Sequence, residues 1–423
     1  MKVLIVGGGG REHALALKIK ASPLVETIYV AQGNAGTLAI TENVAIKIDD
    51  LEALSDFVIE KEIGLVVAGS ELPLSLGLEN IIREKSSKIG RKVHFFGPSK
   101  ECALLEASKD FSKSMMKYLG IPTARYESFT DYDEACEYFS SFKDTPVIKV
   151  DGLASGKGVF LASSVEEGKE ILKSIMKDGI FGKSGNKVII EERLQGEELS
   201  LMAFSDGKDI ALLPVSKDHK RLLDGDLGPN TGGMGAFAPH PNYSNKQIED
   251  FAKITIEPII KEMAKRGTPY KGILYAGLMI AKDGVKVLEY NCRFGDPETQ
   301  VLMELFEGDI VPTLIACSEG NLSSNLPKWK KAFAITVVMA SGGYPEGKIV
   351  PVPLKKDELK EEDCVKVIHA GTSLIDGILY ATGGRALCVT SCNEDANIAI
   401  KAVYNKISKI SFENSQYRKD IAK

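Results

Sequence analysis

The first hundred residues alternate short apolar runs with helical stretches, and this alternation constrains the fold more than any other feature. Strands are expected at residues 2–6, 27–30, 64–68 and 93–96, with helices at 11–20 and 51–62 between them. Strand and helix in strict alternation imply a parallel sheet with crossover helices. Gly7 to Gly10 form the first strand-to-helix turn, and Arg11, Glu12 and His13 open the helix. A helix N-terminus favours anions, so Gly9, Arg11 and Glu12 read as a substrate-binding turn. His13 either caps the helix or packs beside it. A dinucleotide reading would want an acid at the end of the second strand. That strand ends Tyr29-Val30-Ala31-Gln32-Gly33, without one.

A chain of 423 residues is too long for one ordinary core, so two to four domains are expected. Divisions fall at 1–100, 101–190, 191–325 and 326–423. The second opens with a helix over 102–119, stopped by Gly120-Ile121-Pro122. Residues 322–331 read as a linker holding Pro327 and the only tryptophan, Trp329. The last division carries strand signals at 332–340, 366–370 and 386–390, an amphipathic helix over 396–407 and a polar, helical or frayed end. Hydrophobic content of 44% with 26% charged residues is that of a globular protein, and no apolar run approaches the roughly 20 residues a membrane span needs. Met1 to Val6 run straight into glycines, which reads as a strand and not a signal peptide. Seven scattered cysteines without a C-x-x-C pair suit a reduced, cytoplasmic setting. The net charge of −5 argues against nonspecific nucleic-acid binding.

The densest chemistry lies in V-L-E-Y-N-C-R-F-G-D-P-E-T-Q, residues 287–300. Leu288, Tyr290 and Cys292 alternate as the apolar face of a strand, which turns Glu289 and Asn291 to the other face. A carboxylate and an amide oxygen side by side make a hard-oxygen site for Mg²⁺ when phosphates supply further ligands. Arg293, Asp296 and Glu298 follow in a loop too charged to be buried without purpose.

Upstream, residues 146–150 read as a strand bearing Lys149, followed by a loop punctuated by Gly152, Gly156 and Gly158. Small residues let backbone N–H groups approach phosphate oxygens, and Lys149 and Lys157 add charge. Strand returns to strand without a helix, so this is not a P-loop. A second segment, 187–201, has Glu191, Glu192, Glu197 and Glu198 around Gly196. These acids suit ribose hydroxyls, and the backbone from Glu192 to Leu194 suits an adenine edge. The loop 221–238 is long and Gly-rich, carries Asp224, Asp226 and Asn230, and reads as a lid or a substrate pocket.

Together these stretches resemble the ATP-grasp ligases, and within them the glycinamide ribonucleotide synthetase family. The likeness runs through V-G-G-G-G-R-E-H-A-L from Val6, S-K-D-F-S-K from Ser108, K-V-D-G-L-A-S-G-K-G-V from Lys149, E-E-R-L-Q-G-E-E-L-S from Glu191, D-G-D-L-G-P-N-T-G-G-M-G-A from Asp224, E-Y-N-C-R-F-G-D-P-E-T-Q from Glu289 and T-G-G-R-A-L from Thr382. It implies a multi-domain α/β chain: an N-terminal parallel α/β domain, a two-part α+β ATP-grasp domain and a small C-terminal α/β domain. It also implies the joining of glycine to 5-phosphoribosylamine with ATP, through glycyl phosphate, in purine synthesis, by a monomer or weak homo-oligomer. By position, Lys109 and Lys149 become nucleotide lysines beside Gly156, Lys157 and Gly158. Glu192 and Leu194 become the adenine hinge, Glu197 or Glu198 the ribose acid, and Glu289 and Asn291 the ligands of Mg²⁺ or Mn²⁺. Gly9, Arg11 and Glu12 fall to the phosphoribosylamine. Arg293 is placed to stabilise the phosphoryl group, with Lys149 beside it, and Asp226 or Asp296 to hold the glycine ammonium.

Two departures stand out. The strand before Glu289, residues 275–280, carries no second metal-binding acid, so protein ligands are expected to be few. The segment Gly69-Ser70-Glu71-Leu72-Pro73-Leu74 replaces the family's usual G-P-E-A-P-L. Alternatives are another ATP-grasp carboxylate–amine ligase, or a non-catalytic nucleotide-binding regulator.

Overall fold

The computed structural model of the chain describes residues 1–153, 158–362 and 364–423. Its N-terminal part is a five-stranded parallel sheet in the order Glu42–Val44, Thr27–Gln32, Lys2–Gly7, Ile63–Ala68, His94–Phe96. The central strand explains the arrangement. Val3 and Ile5 enter one hydrophobic cluster and Leu4 and Val6 another, so both faces are buried, as a parallel sheet with helices on each side requires. Sheet order reverses at this strand, and such reversals open a crevice at the strands' carboxyl ends. Gly69 and Ser70 line it, their N–H groups donating to the Val6 carbonyl at 3.0 and 3.3 Å.

Two antiparallel four-stranded sheets follow. The smaller half has the order Tyr126–Phe129, Val188–Glu191, Val147–Val150, Val159–Leu161, and the larger Ile210–Leu212, Glu197–Asp206, Lys271–Ala281, Gly284–Asn291. The helix expected over 102–119 is two helices, Lys100–Ala107 and Lys109–Leu119. Ser108 breaks it: its backbone is extended, its hydroxyl accepts the Phe111 N–H at 3.1 Å, and it donates to Asp151 at 3.1 Å. An N-cap serine inside an apolar pattern is invisible to periodicity alone.

The apolar alternation expected in the Glu289 strand is also corrected. Pairing slips between Gly277 and Leu278, leaving Leu288 without an opposite residue, a β-bulge. Val285, Val287, Tyr290 and Cys292 pack in the core, while Leu288 faces the cleft.

Strands from both sides of the boundary expected at 325 share one sheet. One antiparallel sheet runs Lys217–Asp218, Gly235–Ala238, Phe333–Ala340, Arg385–Asn393, Val365–His369, so strands from the preceding division complete the C-terminal sheet. Residues 322–331 are anchored: Trp329 packs edge-on against Phe306 and its short strand pairs with Phe306–Glu307. The polar end beyond Ile407 is neither helical nor frayed. Gln416 pairs with Ala340, and Ile421 is fully buried.

The N- and C-terminal parts meet through two histidines, His13 buried and His369 half-buried. The Nδ1 of His13 accepts the His369 N–H at 2.8 Å, and Asn34 donates to the His369 carbonyl at 3.0 Å. Burial, then the neighbouring His369, lowers the His13 pKa to about 3; burial lowers that of His369 to about 4. Both are therefore neutral in the fold. Below the unfolded value of about 6.5 the unfolded chain takes up protons that the folded chain refuses, so stability falls with pH by about 1.4 kcal/mol per unit per histidine until the folded values are reached. Burial lowers the pKa of His219 to about 4 as well, so melting temperature should fall between pH 7 and 5.5, and His13→Gln should remove about a third of that fall. An unchanged slope would mean that His13 is already charged in the fold.

Candidate active site

The two middle sheets and the N-terminal crevice enclose one cleft of about 1600 Å³. Its deepest feature is an ion cluster. Lys149 and Glu191 lie on paired strands, Lys149 opposite Ile189, so both project from the same face. Their ion pair is fully enclosed, and Lys113 approaches the other Glu191 oxygen at 2.5 Å. Burial opposes ionisation of Glu191, but Lys149 and Lys113 outweigh it and hold the carboxyl below its usual range. The cluster also reaches the opposite half. Lys149 donates to the carbonyl of the bulged Leu288 at 3.3 Å, while Lys113 donates to Thr123, whose hydroxyl donates to the Val287 carbonyl.

Glu289 and Asn291 stand on the strand that receives those bonds. Burial raises the Glu289 pKa, but Lys149, Lys220, Lys109 and Arg293 overcome it and keep the carboxylate ionised. These two oxygens fit a hard cation only with further ligands, because no cluster of three metal-binding side chains occurs among the described residues. Lys109 opens its helix and donates to the Gly152 carbonyl at 3.2 Å. Burial makes its ammonium easier to neutralise, against the pull of Glu289. Gly158 closes the glycine loop through its carbonyl, which accepts the Val150 N–H; Gly156 and Lys157 lie outside the described residues.

On the segment expected to meet adenine, Glu192 is clasped to Arg125. Its N–H donates to the Arg125 carbonyl at 2.9 Å, and its carboxylate accepts the Arg125 N–H at 3.0 Å. Leu194 lines the cleft just beyond. The two adjacent acids are separated by strand alternation. Glu197 shares the parity of Leu199 and Leu201, and its carboxylate is taken by Lys217, His240 and Tyr243 at 2.8, 3.2 and 2.7 Å. Glu198 shares the parity of Ser200, is exposed in the cleft, and adds to the field that raises the Lys149 pKa.

Toward the N-terminal crevice, the helix N-terminus is already filled. Glu12 accepts the Gly9 N–H at 2.6 Å and the Arg11 Nε–H at 2.7 Å, and side chains at Gly7 or Gly69 would collide with it. The protein's own carboxylate thus occupies the Gly9 donor of this turn. Arg11 continues to the Phe294 carbonyl at 3.1 Å. Arg293 lies 3.0 Å from Glu106 and 3.5 Å from Glu71. Burial disfavours its charge, but the two acids more than compensate and raise its pKa. Asp296 pairs with Arg385 at 3.1 Å and accepts from Gln300 at 2.9 Å.

The loop 221–238 is a small hairpin, Arg221–Leu223 against Leu227–Asn230, and its tip docks on the chain's end. Asp226 points there, 2.6 Å from Arg418, with a side chain 68% exposed. The neighbouring acid Asp218 is enclosed instead. One of its oxygens meets Lys220 at 3.0 Å; burial, with Glu298 adding to it against Lys220, raises its pKa to about 7. Glu298 itself accepts from Ser200 and Tyr275 at 3.0 and 2.7 Å. Sequence reasoning missed Lys113, Glu191 as a partner of lysines, Asp218, Lys220 and Arg385. Lys113 follows Lys109 by one helical turn, and K-D-H-K at 217–220 is unusually charged for a strand, so both carried a local signal.

Family models match three consecutive parts of the chain: the N domain of phosphoribosylglycinamide synthetase at 1–106, its ATP-grasp (A) domain at 107–299 and its C domain at 334–423. The chain is 42% identical over 423 residues to a phosphoribosylamine–glycine ligase of Caldanaerobacter subterraneus, covering all of this chain and 99% of that one. It is 44% identical to the trifunctional purine biosynthetic protein adenosine-3 of Gallus gallus, of which it spans only 42%. A crystal structure of phosphoribosylamine–glycine ligase from Thermotoga maritima superposes with a TM-score of 0.84 at 33% identity, covering both chains fully.

The ion cluster yields an ordered prediction. Glu191→Gln leaves two enclosed ammonium groups without a counter-charge and should cost about 3–5 kcal/mol. Lys113→Met leaves Glu191 paired with Lys149 and should cost less, which thermal melting of the two variants will rank. The sign with pH follows from the depressed carboxyl: its stabilisation is complete above the unfolded value of about 4.3 and disappears as pH falls through the lower folded value. Equal losses in the two variants would show that Lys149 alone does not neutralise Glu191.

Proposed function

The chain belongs to the phosphoribosylglycinamide synthetase family, ATP-grasp ligases of purine biosynthesis, and on that premise we propose how its residues join glycine to 5-phosphoribosylamine. A carboxylate does not acylate an amine in water, because its oxygen is a poor leaving group. One glycine carboxylate oxygen attacks the γ-phosphorus of ATP, and the bond to the ADP oxygen breaks. The amine nitrogen of phosphoribosylamine then attacks the acyl carbon of glycyl phosphate, phosphate leaves, and the nitrogen loses a proton. Neither step needs a covalent enzyme intermediate, so the protein's work is positioning and charge compensation.

The observation that carries this reading is the facing of two sets of groups across one cleft. Lys149 and Lys109 supply charge from the smaller half, and Glu289 and Asn291 supply hard oxygens from the larger. The adenine edge falls to the backbone between Glu192 and Leu194, and the ribose to Glu198, because Glu197 already has three partners. Glu289 and Asn291 would hold Mg²⁺ or Mn²⁺, which when bound draws phosphate oxygens together and offsets their charge. Arg293, between Glu71 and Glu106, faces the phosphoryl group in transit. Arg11 and Glu12 belong to the phosphoribosylamine side, where Glu12 suits ribose hydroxyls better than phosphate. No helix among the described residues is long and apolar enough to cross a membrane. A cytoplasmic monomer or weak homo-oligomer is part of the same reading.

The direct test is ADP formation from Mg-ATP with glycine and freshly generated phosphoribosylamine. ADP should appear only when both are present, with glycinamide ribonucleotide confirmed by mass; turnover with other carboxylates alone would overturn the reading. In that assay Glu289→Ala should lower kcat by about 10²–10³-fold, the scale for removing one preorganised electrostatic group. Near-wild-type turnover at saturating Mg²⁺ would remove Glu289 from the site. Glu198→Ala should raise the KM for ATP by roughly tenfold or more, the worth of a hydrogen bond to a charged group. Glu197→Ala should act mainly on stability, and the reverse pattern would assign the ribose to Glu197.

A further inference from the structure

We infer that Cys364 and Cys392 are a redox-active pair, converted to a disulfide when a low-molecular-weight disulfide reaches them. The register of the C-terminal sheet brings them together. Val365 pairs with Ser391, and the ladder runs on to His369 and Leu387. Cys364 and Cys392 are the next residues outward on the two strands. Opposed residues on antiparallel strands have Cα atoms about 4.5–5.5 Å apart, inside the roughly 4.4–6.8 Å that a disulfide spans. Both cysteines line one pocket of about 850 Å³, which shares no lining residue with the cleft among the described residues. Burial raises the Cys392 pKa; Lys330 and Lys366 lower it, while Glu304 and the adjoining Cys364 raise it. A thiolate on one sulfur thus disfavours a thiolate on the other, as thiols in close approach must.

This corner of the fold is open to a reagent. Cys364 is exposed and Cys392 half-buried, whereas Cys102, Cys292, Cys317 and Cys388 are buried. The strand Val365–His369 is the edge of its sheet. Cys364 precedes it in a tight turn, where Glu362 and Val365 exchange backbone bonds at 3.2 and 2.9 Å. Its φ is +64°, a left-handed turn position that favours glycine or asparagine. An exposed cysteine there gains no packing to offset the strain. Beside the pair, Lys330 donates to the Glu304 carbonyl at 2.8 Å and Lys366 to its carboxylate at 2.7 Å. Two ammonium groups are thereby fixed near Cys392, and neighbouring cations favour the reactive thiolate.

The exchange balances without any other reactant. The exposed Cys364 attacks one reagent sulfur as a thiolate, the reagent S–S bond breaks, and the departing thiolate takes up the proton that Cys364 lost. Cys392 then loses its own proton and attacks the Cys364 sulfur. The second reagent thiolate leaves and is protonated in turn. Two protein thiols are oxidised, and one small disulfide is reduced to two thiols. The bridge ties the edge strand, which carries His369, to the strand that carries Arg385. Its exposure makes it reversible by small thiols.

The test is treatment of the reduced, native chain with bis(hydroxyethyl) disulfide, uncharged because glutamates and lysines both line the pocket. Remaining thiols are alkylated after denaturation, and linked peptides are identified by mass spectrometry. A peptide pair joining Cys364 to Cys392 should dominate and should vanish after dithiothreitol. Cys136, the only cysteine in its apolar cluster among the described residues, should at most retain the reagent as a mixed disulfide. In Cys392→Ser, Cys364 should hold the reagent stably. In Cys364→Ser, modification of Cys392 should slow by roughly tenfold or more, because access limits exchange. A lasting reagent adduct on Cys364 of the wild type with Cys392 still free would overturn the inference. So would a Cys364–Cys364 link between two chains, or reaction at neither cysteine. Should a variant not fold, the wild-type peptide map decides alone.

Discussion

One carboxylate, Glu191, organises the cleft. It is enclosed between two ammonium groups, and each of its neighbours has a second task. Lys149 reaches the carbonyl that the β-bulge at Leu288 frees from the sheet, and Lys113 reaches the same strand through Thr123. The smaller half is therefore fastened to the strand that presents Glu289 and Asn291. Without the bulge, the apolar alternation of Val285 and Val287 would continue unshifted. Glu289 would then turn into the core face now held by Tyr290. The bulge and the ion cluster are two sides of one arrangement: the bulge aims the acid into the cleft, and the lysine takes up the backbone group that the bulge leaves unpaired.

The same cluster sets the charge of the cleft before any nucleotide arrives. Around Glu289 the nearest charges are cations, Lys149, Lys220, Lys109 and Arg293, although Asp218 pairs with Lys220 and Glu71 and Glu106 flank Arg293. The local attraction of these cations is what depresses the Glu289 pKa despite its burial. An anionic ligand entering here would replace repulsion among cations with attraction, and the carboxylate that remains ionised is the one that a metal would need.

Much of this was legible in the sequence, and the failures have physical causes. The parallel N-terminal sheet followed from strand–helix alternation, since buried strands and amphipathic helices leave different periods. Glu289 and Asn291 were legible because two polar residues between apolar neighbours on a strand have few structural uses. The bulge was not, because a slipped register depends on Gly277 of the partner strand and not on residues 287–292. Ser108 was missed because a single capping hydroxyl decides where one helix becomes two. Glu197 and Glu198 are equivalent in sequence; only the direction of each side chain, and the three partners awaiting Glu197, distinguish them. Asp226 looked functional for its family block, yet its partner Arg418 lies 192 residues away. Such long-range pairing leaves no local trace.

The C-terminal part is a structural component of the site rather than an appendage. Its sheet takes Lys217–Asp218 and Gly235–Ala238 from the segment that also forms the cleft wall, so Asp218 and Gly233 are positioned by strands that close only after residue 333 has been added. The chain's end then secures the hairpin between them, with Arg418 on Asp226 and the Lys419 N–H on Asp224 at 2.7 Å. Arg385, from the same sheet, bonds to the backbone of Gly232 and Asp296 and so joins this hairpin to the loop that follows Arg293. Each contact is modest, but the segments they join would otherwise be exposed connections, for which ordering entropy is the main opposing term. The cleft wall beside the two middle sheets is completed only when the last ninety residues, those matched by the C-domain model, are folded around it.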